Sequence, residues 1–174
     1  MIIRELAPTD SIPEMTALLH AAYARLGGMG FNYTAVDQTE DVTRSRIVRG
    51  HCLVAIDDGA IVGTIMVYPP GRSAGCPCYE RPDVATIGQF GVMPGRQGAG
   101  TGTRLLRCAE ELALASGAAE LALDTSEGAD HLIGWYEREG FRFVEHAQWE
   151  GKTYRSVIMS KRLRSTSEAR GAFT

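Results

Sequence analysis

Apolar residues recur along the chain with two periods, which predict alternating strands and helices. One helix begins at Ser11-Ile12-Pro13-Glu14, where the sequence fits a capping box with proline in the first turn. It ends at Gly27-Gly28. Its apolar face is formed by Ile12, Met15, Leu19, Ala22, Tyr23 and Leu26. We interpret Tyr23 as a core residue because it lies on this face.

A second, shorter helix is predicted between Thr39 and Gly50 from the order of its charges. Acidic residues come first and Arg44, Arg46 and Arg49 come last, which suits the helix dipole. We interpret these arginines as a solvated helix face. Contact with an anionic ligand is the alternative.

Runs of β-prone residues predict seven strands, and two further amphipathic helices lie between the later ones. The strands are residues 1–6, 52–57, 61–68, 86–92, 119–124, 141–149 and 154–159, and the helices end at Gly117 and Gly140. Asp57-Asp58-Gly59 indicates a hairpin, and Thr125 or Ser126 is a candidate cap for the last helix. The order β-α-α-β-β-β-α-β-α-β-β predicts an α/β fold, a mixed sheet with helices on both faces.

A glycine-rich loop joins the strand 86–92 to the helix that follows it. This arrangement exposes backbone N–H groups at the positive end of a helix dipole, which is an anion site. A Walker A loop would place Lys-Ser/Thr after Gly102, where the chain has Thr103-Arg104. The dinucleotide fingerprint would place its third glycine at Thr103 or Leu105. Neither motif is therefore present.

Two motifs together resemble the GNAT superfamily of N-acetyltransferases. The first is Val92-Met93-Pro94 followed by the loop Gln97-Gly98-Ala99-Gly100-Thr101-Gly102, which fits Q/R-x-x-G-x-G/A. The second is Trp135-Tyr136-Glu137-Arg138-Glu139-Gly140-Phe141, which is similar to the helix-ending tyrosine and Gly-Phe of that family. The order of elements also resembles the GNAT fold, up to about Leu163.

The resemblance implies that acetyl-coenzyme A is the acyl donor and that the main chain holds most of it. The strand would separate from its neighbour at a bulge near residues 90–92, and the pantetheine arm would pair with that edge. The implied binding residues are Phe90, Gly91, Val92, Gln97, Gly98, Ala99, Gly100, Thr101, Gly102 and Thr103.

The implied reaction is direct attack of a primary amine on the thioester through a tetrahedral intermediate. The Phe90 backbone N–H would stabilise the developing oxyanion. Tyr136 would act as general acid to the leaving thiolate, since a phenol suits that role. Without the resemblance, Tyr136 would be interpreted as a core tyrosine on an apolar helix face.

The general base is left open by the sequence. Candidates are Glu80, Asp83, Asp124 and His131, and ordered water is an alternative to all four. Many GNAT proteins carry an asparagine seven residues before the tyrosine, where this chain has Ala129. Its cofactor contact would then be made by Ser126 or Asp130, or would be missing.

The acceptor is expected to be an amine of a small molecule or a peptide. We expect its site to be formed by residues 31–33, the Gly- and Pro-rich loop 72–83, and the strands around Trp149 and Tyr154. Phe31, Trp149 and Tyr154 have core packing as their alternative role. A non-catalytic acyl-coenzyme A sensor is the rival function, and an ATP-binding enzyme is disfavoured by the missing Lys-Ser/Thr.

Length and charge add limits. The chain has 174 residues and a net charge of −3, which predicts one domain over residues 1–163 with a polar tail over 164–174. We expect no nucleic-acid partner, because no broad basic surface is indicated. We expect no membrane association and a cytoplasmic location, because no apolar run approaches a bilayer span and no signal peptide is evident. Pairing of two copies through a sheet edge or the C-terminal strands would give a homodimer, which the sequence leaves undecided.

The four cysteines do not form a recognisable metal motif. Cys52 and Cys108 lie in apolar patterns and are interpreted as small buried hydrophobes. Cys76 and Cys78 flank a proline in a loop, but no second Cys or His pair follows at zinc spacing. We therefore expect no metal and no role for these two thiols, with a redox or metal role as the alternative.

Overall fold

A seven-stranded mixed sheet organises the computed structural model, which describes residues 1–164. The strands are β1 (Ile2–Glu5), β2 (His51–Asp57), β3 (Ala60–Tyr68), β4 (Val84–Val92), β5 (Glu120–Ser126), β6 (Arg142–Ala147) and β7 (Ser156–Arg162). The helices of the described part are α1 (Ile12–Gly28), α2 (Glu40–Ile47), α3 (Thr101–Ala115) and α4 (Asp130–Arg138). The predicted order of elements is confirmed. The predicted tail, apart from Arg164, lies outside the described residues.

The strands lie in the order β1-β2-β3-β4-β5-β7-β6. Only β4 and β5 are parallel, and all other neighbours are antiparallel. β6 ends two residues earlier than predicted and β7 begins two residues later, because the segment between them forms a turn. The side-chain amide of Gln148 donates to the carbonyls of Trp149, Lys152 and Tyr154, and this fixes the turn.

Helices cover both faces of the sheet, and alternation along β2 decides which residues face which helix. Cys52 and Val54 share an apolar cluster with Met15 and Leu18 of α1. The intervening residues Leu53 and Ala55 belong to a larger cluster that includes Leu105 and Leu106 of α3. The helix α1 therefore packs on one face and α3 on the other, as the mixed-sheet prediction requires.

The helix caps differ in two places from the prediction. The Ser11 hydroxyl accepts from the Glu14 N–H at 3.2 Å, as a capping residue should. The Glu14 carboxylate accepts instead from the N–H of Ile61 at 3.0 Å, so the reciprocal half of the capping box is not formed. The prediction that Thr125 or Ser126 caps α4 is wrong, because both lie in β5 and the cap position is Ala129.

The two parallel strands of the sheet separate soon after they pair. Their register covers only Val84–Thr86 against Glu120–Ala122, and β4 then continues to Val92 without β5 beside it. The far end of β4 therefore has an open edge on that side.

A β-bulge lies in β4 at the same place. Thr64 pairs with Gly91 and Met66 pairs with Gly88, so one β3 residue faces both Gln89 and Phe90. Gln89 has φ = +45°, which is unusual for a side chain that is not glycine. The bulge turns the strand where the site begins.

Among residues 1–164, each helix is too short or too polar to pass through a bilayer.

Candidate active site

A cavity of about 650 Å³ opens where β4 and β5 separate. Residues from α1, β4, the glycine loop and α4 form its walls. They are Ala21, Ala22, Arg25, Leu26, Phe90, Val92, Pro94, Gln97, Gly98, Gly100, Gly102, Thr103, His131, Leu132, Trp135, Tyr136 and Arg138. We call this space the loop cavity.

Seven of the ten residues predicted to bind the acyl donor line the loop cavity, and three do not. The three are Gly91, Ala99 and Thr101. Gly91 allows close packing, since a Cβ there would lie 2.9 Å from Ala22 Cβ of α1. Thr101 is buried, with its hydroxyl 3.4 Å from the Met1 sulfur.

The glycine loop presents main-chain donors to the cavity. Gly98 and Gly100 have φ of +78° and +81°, the left-handed region that glycine adopts without strain. Gly100 is the N-cap of α3 and provides no side-chain bond to the first turn. The first N–H groups of the helix lack intrahelical partners as a rule, so they can donate to an anion here. The Gln97 N–H already donates to the Pro94 carbonyl, at 3.4 Å.

Two arginines that the sequence analysis missed line the loop cavity. Arg25 comes from the last turn of α1 and Arg138 from the last turn of α4. No carboxylate of the described chain lines this cavity. The cavity is therefore suited to a ligand that carries negative charge. Arg25 lies far from either motif, and Arg138 lies within the second motif but was given no role there.

Tyr136 extends from α4 into the loop cavity. Its ring packs edge-on against Trp135 and Phe141, with centroids 5.0 Å and 5.7 Å away. None of the hydrogen bonds within residues 1–164 involves its hydroxyl. The hydroxyl oxygen is also not one of the fully buried polar atoms that lack a partner, so it is accessible from the cavity. Burial raises the pKa of Tyr136 well above its usual value, and the phenol is protonated near neutral pH.

A second cavity of about 400 Å³ lies next to the first and shares no lining residue with it. We call it the acceptor pocket. Its walls are Tyr23, Tyr33, Thr34, Ala35, Arg46, Arg49, Tyr68, Ser73, Ala74, Tyr79, Thr86, Ile87, Gly88, Gln89, Asp124, Trp149, Lys152 and Tyr154. Gln89 lines this pocket and the next residue, Phe90, lines the loop cavity. Consecutive residues of the β4 bulge therefore line the two spaces.

Each predicted acceptor segment contributes to this pocket, but most residues of those segments do not line it. The contributing residues are Tyr33, Ser73, Ala74, Tyr79, Trp149 and Tyr154. Tyr33 and Tyr154 stack with centroids 4.8 Å apart and rings 28° from parallel. Trp149 lines the pocket from the turn between β6 and β7, rather than from a strand. Phe31 does not line it, and packs edge-on against Tyr154 at 5.7 Å.

Of the four candidate bases, Asp124 is the one that lines the acceptor pocket. Its carboxylate accepts from three neutral donors: Tyr79 Oη at 3.0 Å, Trp149 Nε1 at 2.9 Å and Ser156 Oγ at 3.1 Å. These bonds fix the carboxylate without neutralising its charge.

The other three candidate bases lie elsewhere. Asp83 forms an ion pair with Arg81 at 2.8 Å, and the Glu80 carboxylate accepts from the Gly75 N–H. His131 lines the loop cavity, and its pKa is lowered by burial and secondarily by the Arg25 charge.

Tyr23 lines the acceptor pocket, which corrects its interpretation as a core residue. Burial raises the pKa of Tyr23, and the Arg46 charge partly offsets that effect. Its place on an apolar helix face did not show that it borders a cavity.

Arg46 of α2 and Arg49 of the turn that follows it also line the acceptor pocket. The interpretation as a solvated helix face is wrong for Arg46, which is half-buried in the pocket wall, whereas Arg49 is exposed to solvent but lies after the end of the helix. Arg44 does match that interpretation and lies 3.8 Å from Glu40 on the exposed surface. Lys152 adds a third cation from the turn after β6.

Ser126 and Asp130, the residues expected to replace the missing asparagine, do not line the loop cavity. The Ser126 N–H donates to Tyr33 Oη at 2.8 Å, and its hydroxyl accepts from the Gly128 N–H at 3.2 Å. Ala129 is fully buried.

The thiols of Cys76 and Cys78 are free and buried in a small cluster with Tyr79, Val84 and Ile158. Burial raises the pKa of Cys78 to about 11, so this thiol is protonated at neutral pH. Within the described part of the chain, no three His, Cys, Asp or Glu residues are grouped to hold a metal ion.

Comparison with known proteins gives a consistent result. A family model described as "Acetyltransferase (GNAT) family" matches residues 15–141. The chain is 30% identical over 163 residues to S-(2-succino)cysteine N-acetyltransferase of Bacillus subtilis, which covers 91% of this chain and 94% of that protein.

Solved structures resemble the fold at low sequence identity. The Escherichia coli ribosomal-protein-S18-alanine N-acetyltransferase superposes with a TM-score of 0.71 at 18% identity, over 95% of each chain. A GNAT family acetyltransferase from Elizabethkingia anophelis with acetyl-CoA bound gives 0.67 at 17% identity, over 93% of this chain and 97% of that one.

Proposed function

The chain belongs to the GNAT acetyltransferase family, and from this membership we propose that it transfers the acetyl group of acetyl-coenzyme A to a primary amine of a small molecule or peptide. The observation that carries the proposal is that consecutive residues of the β4 bulge, Gln89 and Phe90, line two different cavities. One is lined by free loop amides and arginines, and the other by a fixed carboxylate.

The loop cavity is the proposed site of the acyl donor. Amides between Gln97 and Thr103 would donate to the pyrophosphate, with Arg25 and Arg138 adding charge. The open edge of β4 between Phe90 and Val92 would pair with the amides of the pantetheine arm. Gln97 Nε2 donates to the Val92 carbonyl at 3.1 Å, so pairing there must share or displace that bond.

The proposed chemistry uses three groups of this chain. The Phe90 N–H donates to the oxyanion that develops as the amine attacks the thioester carbonyl. Tyr136 donates a hydrogen bond to the sulfur as its bond to carbon breaks. Because the raised pKa of Tyr136 exceeds that of a thiol, its role is to stabilise the thiolate rather than to transfer its proton completely. Asp124 accepts the proton that the attacking nitrogen loses.

The test is release of coenzyme A thiol across a panel of amines, with acetyl-coenzyme A as the donor. Because a relative is named for S-(2-succino)cysteine, cysteine derivatives belong in the panel. Acetyl-coenzyme A should raise the melting temperature, and ATP should not. Binding without thiol release from any amine would favour the acyl-coenzyme A sensor instead.

Asp124→Asn keeps the shape of the side chain but removes its negative charge. We expect a fall in kcat of about 10²- to 10⁴-fold, the usual size of a general base effect. Ser160→Ala serves as the control, because this hydroxyl lies in β7 outside both cavities and bonds to Glu120. Equal kcat in the two variants would contradict the role of Asp124.

We further propose a single domain over residues 1–163, a cytoplasmic location and a homodimer through the β6 edge. The edge strand exposes 55% of Phe143 and 42% of Val144. Limited proteolysis tests the domain, cell fractionation tests the location, and sedimentation velocity of the wild type and Phe143→Glu tests the dimer.

A further inference from the structure

The acceptor pocket contains three cations, Arg46, Arg49 and Lys152, that form no ion pair with a carboxylate of residues 1–164. None of the hydrogen bonds or ion pairs within residues 1–164 involves Arg46. Arg49 donates to the Arg72 carbonyl at 3.3 Å and lies 5.9 Å from the Tyr68 ring centroid. Lys152 donates to the Asn32 carbonyl at 2.8 Å and to Thr34 Oγ1 at 3.0 Å. All three cations thus retain charge that a bound anion can meet.

The carboxylate of this pocket, Asp124, also does not pair with the three cations. Asp124 is fixed by three uncharged donors and forms no ion pair with any of the three cations. Burial lowers the pKa of Lys152, repulsion from Arg46 lowers it further, and attraction to Asp124 and Asp37 offsets part of this effect. Unpaired charge in a partly closed site is costly unless a ligand compensates it.

We propose that the acceptor is an amino-acid-like amine whose carboxylate groups are bound by Arg46, Arg49 and Lys152. This inference rests on the proposed acetyl transfer, because it assigns the substrate class of the same site. The amine end would lie toward Asp124 and the β4 bulge. Guanidinium groups suit this task, because their paired N–H donors match the two oxygens of a carboxylate.

The phosphates of the acyl donor are a less suitable ligand for these cations. The loop cavity holds the free amides at the start of α3 and has its own Arg25 and Arg138. The acceptor pocket shares none of its walls with that cavity. Its positive charge is therefore available to the second substrate.

The first experiment compares acceptors that differ only in charge. Glutamate, glutamine and glutamine α-amide carry two, one and no carboxylates on one skeleton. Aspartate, asparagine and asparagine α-amide repeat the series on a shorter skeleton. We expect kcat/KM to fall by about 10-fold or more for each carboxylate replaced by an amide, mainly through KM, as expected for a charge-assisted hydrogen bond.

The second experiment locates the effect. Arg46→Gln and Arg49→Gln should each lower kcat/KM for the dicarboxylate acceptor by about 10- to 100-fold. The same variants should change the value for the uncharged amide much less, and Arg46→Lys should restore part of the loss. Arg44→Gln is the matched control on the same helix and should leave every value unchanged, because Arg44 lies outside the acceptor pocket.

The outcomes separate this inference from the proposed function. If no amine releases thiol, the acetyl-transfer proposal fails. If amide acceptors react as well as carboxylates in the wild-type protein, acetyl transfer stands and the anion site is refuted. Equal selectivity in wild type and in the Arg46→Gln and Arg49→Gln variants would also refute it. The melting-temperature shift with acetyl-coenzyme A confirms that each variant is folded. The acceptor series uses the wild-type protein alone, so it tests the inference even if a variant does not fold.

Discussion

The substitution Tyr136→Phe isolates the hydroxyl that we propose donates to the leaving sulfur. The ring contacts with Trp135 and Phe141 remain, because phenylalanine keeps the same ring. No hydrogen bond within residues 1–164 uses this hydroxyl, so its removal leaves no partner unsatisfied. We therefore expect the free energy of unfolding to change by less than about 1 kcal/mol, since most stability effects need a lost contact or a buried unpaired group.

The effect on catalysis should be much larger than the effect on stability. Removing one preorganised donor to a developing anion usually costs about 10²- to 10³-fold in kcat, or about 2.7–4 kcal/mol. KM for acetyl-coenzyme A should change little, because the bond strengthens only as the thiolate forms. Because the pKa of Tyr136 is raised, its phenol keeps its proton up to about pH 10. Deprotonation of this group should therefore not reduce wild-type kcat between pH 8 and 10.

The assay is coenzyme A thiol release at saturating acetyl-coenzyme A, with thermal unfolding measured on the same preparations. Lower kcat with an unchanged melting temperature and an unchanged acetyl-coenzyme A shift would support the role. An unchanged kcat would refute it. A parallel loss of kcat and of the cofactor-induced shift would point to a damaged loop cavity instead.

Three further predictions concern the loop, stability and thiols. Gly100→Ala should lower the free energy of unfolding by about 1–2 kcal/mol and weaken acetyl-coenzyme A binding, because alanine is strained at φ = +81°. Gly95→Ala should have little effect, because Gly95 has no positive φ and an added Cβ would have no close neighbour. Urea titration of both variants measures the difference. Arg4 holds the pKa of Asp10 at about 2, so Asp10→Asn should destabilise the protein at pH 7. The difference in unfolding free energy between wild type and Asp10→Asn should shrink as pH falls from about 4 toward 2, because the Asp10 carboxylate stabilises the fold only while it is ionised. A difference that stays constant with pH in urea unfolding would contradict this. Cys108 is partly exposed while the other three cysteines are buried, so one thiol should react rapidly with an aromatic disulfide at neutral pH. Cys108→Ser should remove that rapid phase, and its persistence would contradict the burial.

The fold was predictable because local signals agreed along the chain. Glycine marked the helix ends, Asp57-Asp58-Gly59 marked a hairpin, and apolar spacing separated strands from helices. The errors were confined to element ends, where distant groups compete. Glu14 bonds to Ile61 in a strand, and Gln148 organises a turn where a strand was expected. Such partners cannot be identified from local pattern.

Short motifs that resemble the GNAT family marked the loop and Tyr136 as candidate site residues, and both border one cavity. Asp124, Trp149 and Tyr154, which no motif marked, line the acceptor pocket. Arg46 was misinterpreted because a short, polar helix has the same composition whether it faces water or a pocket. Tyr23 was misinterpreted because an apolar helix face does not show where the core ends and a cavity begins. Both cases depend on packing between segments far apart in sequence.

The absence of any shared wall between the loop cavity and the acceptor pocket has a consequence for how such a protein can diversify. Under the proposed function, substitutions in the acceptor pocket can change which amine is selected while the residues of the loop cavity stay unchanged. Only the short bulge of β4 must satisfy both ends at once. New acceptor preferences can therefore be engineered by exchanging α2 and the β6–β7 turn, with the bulge sequence held constant.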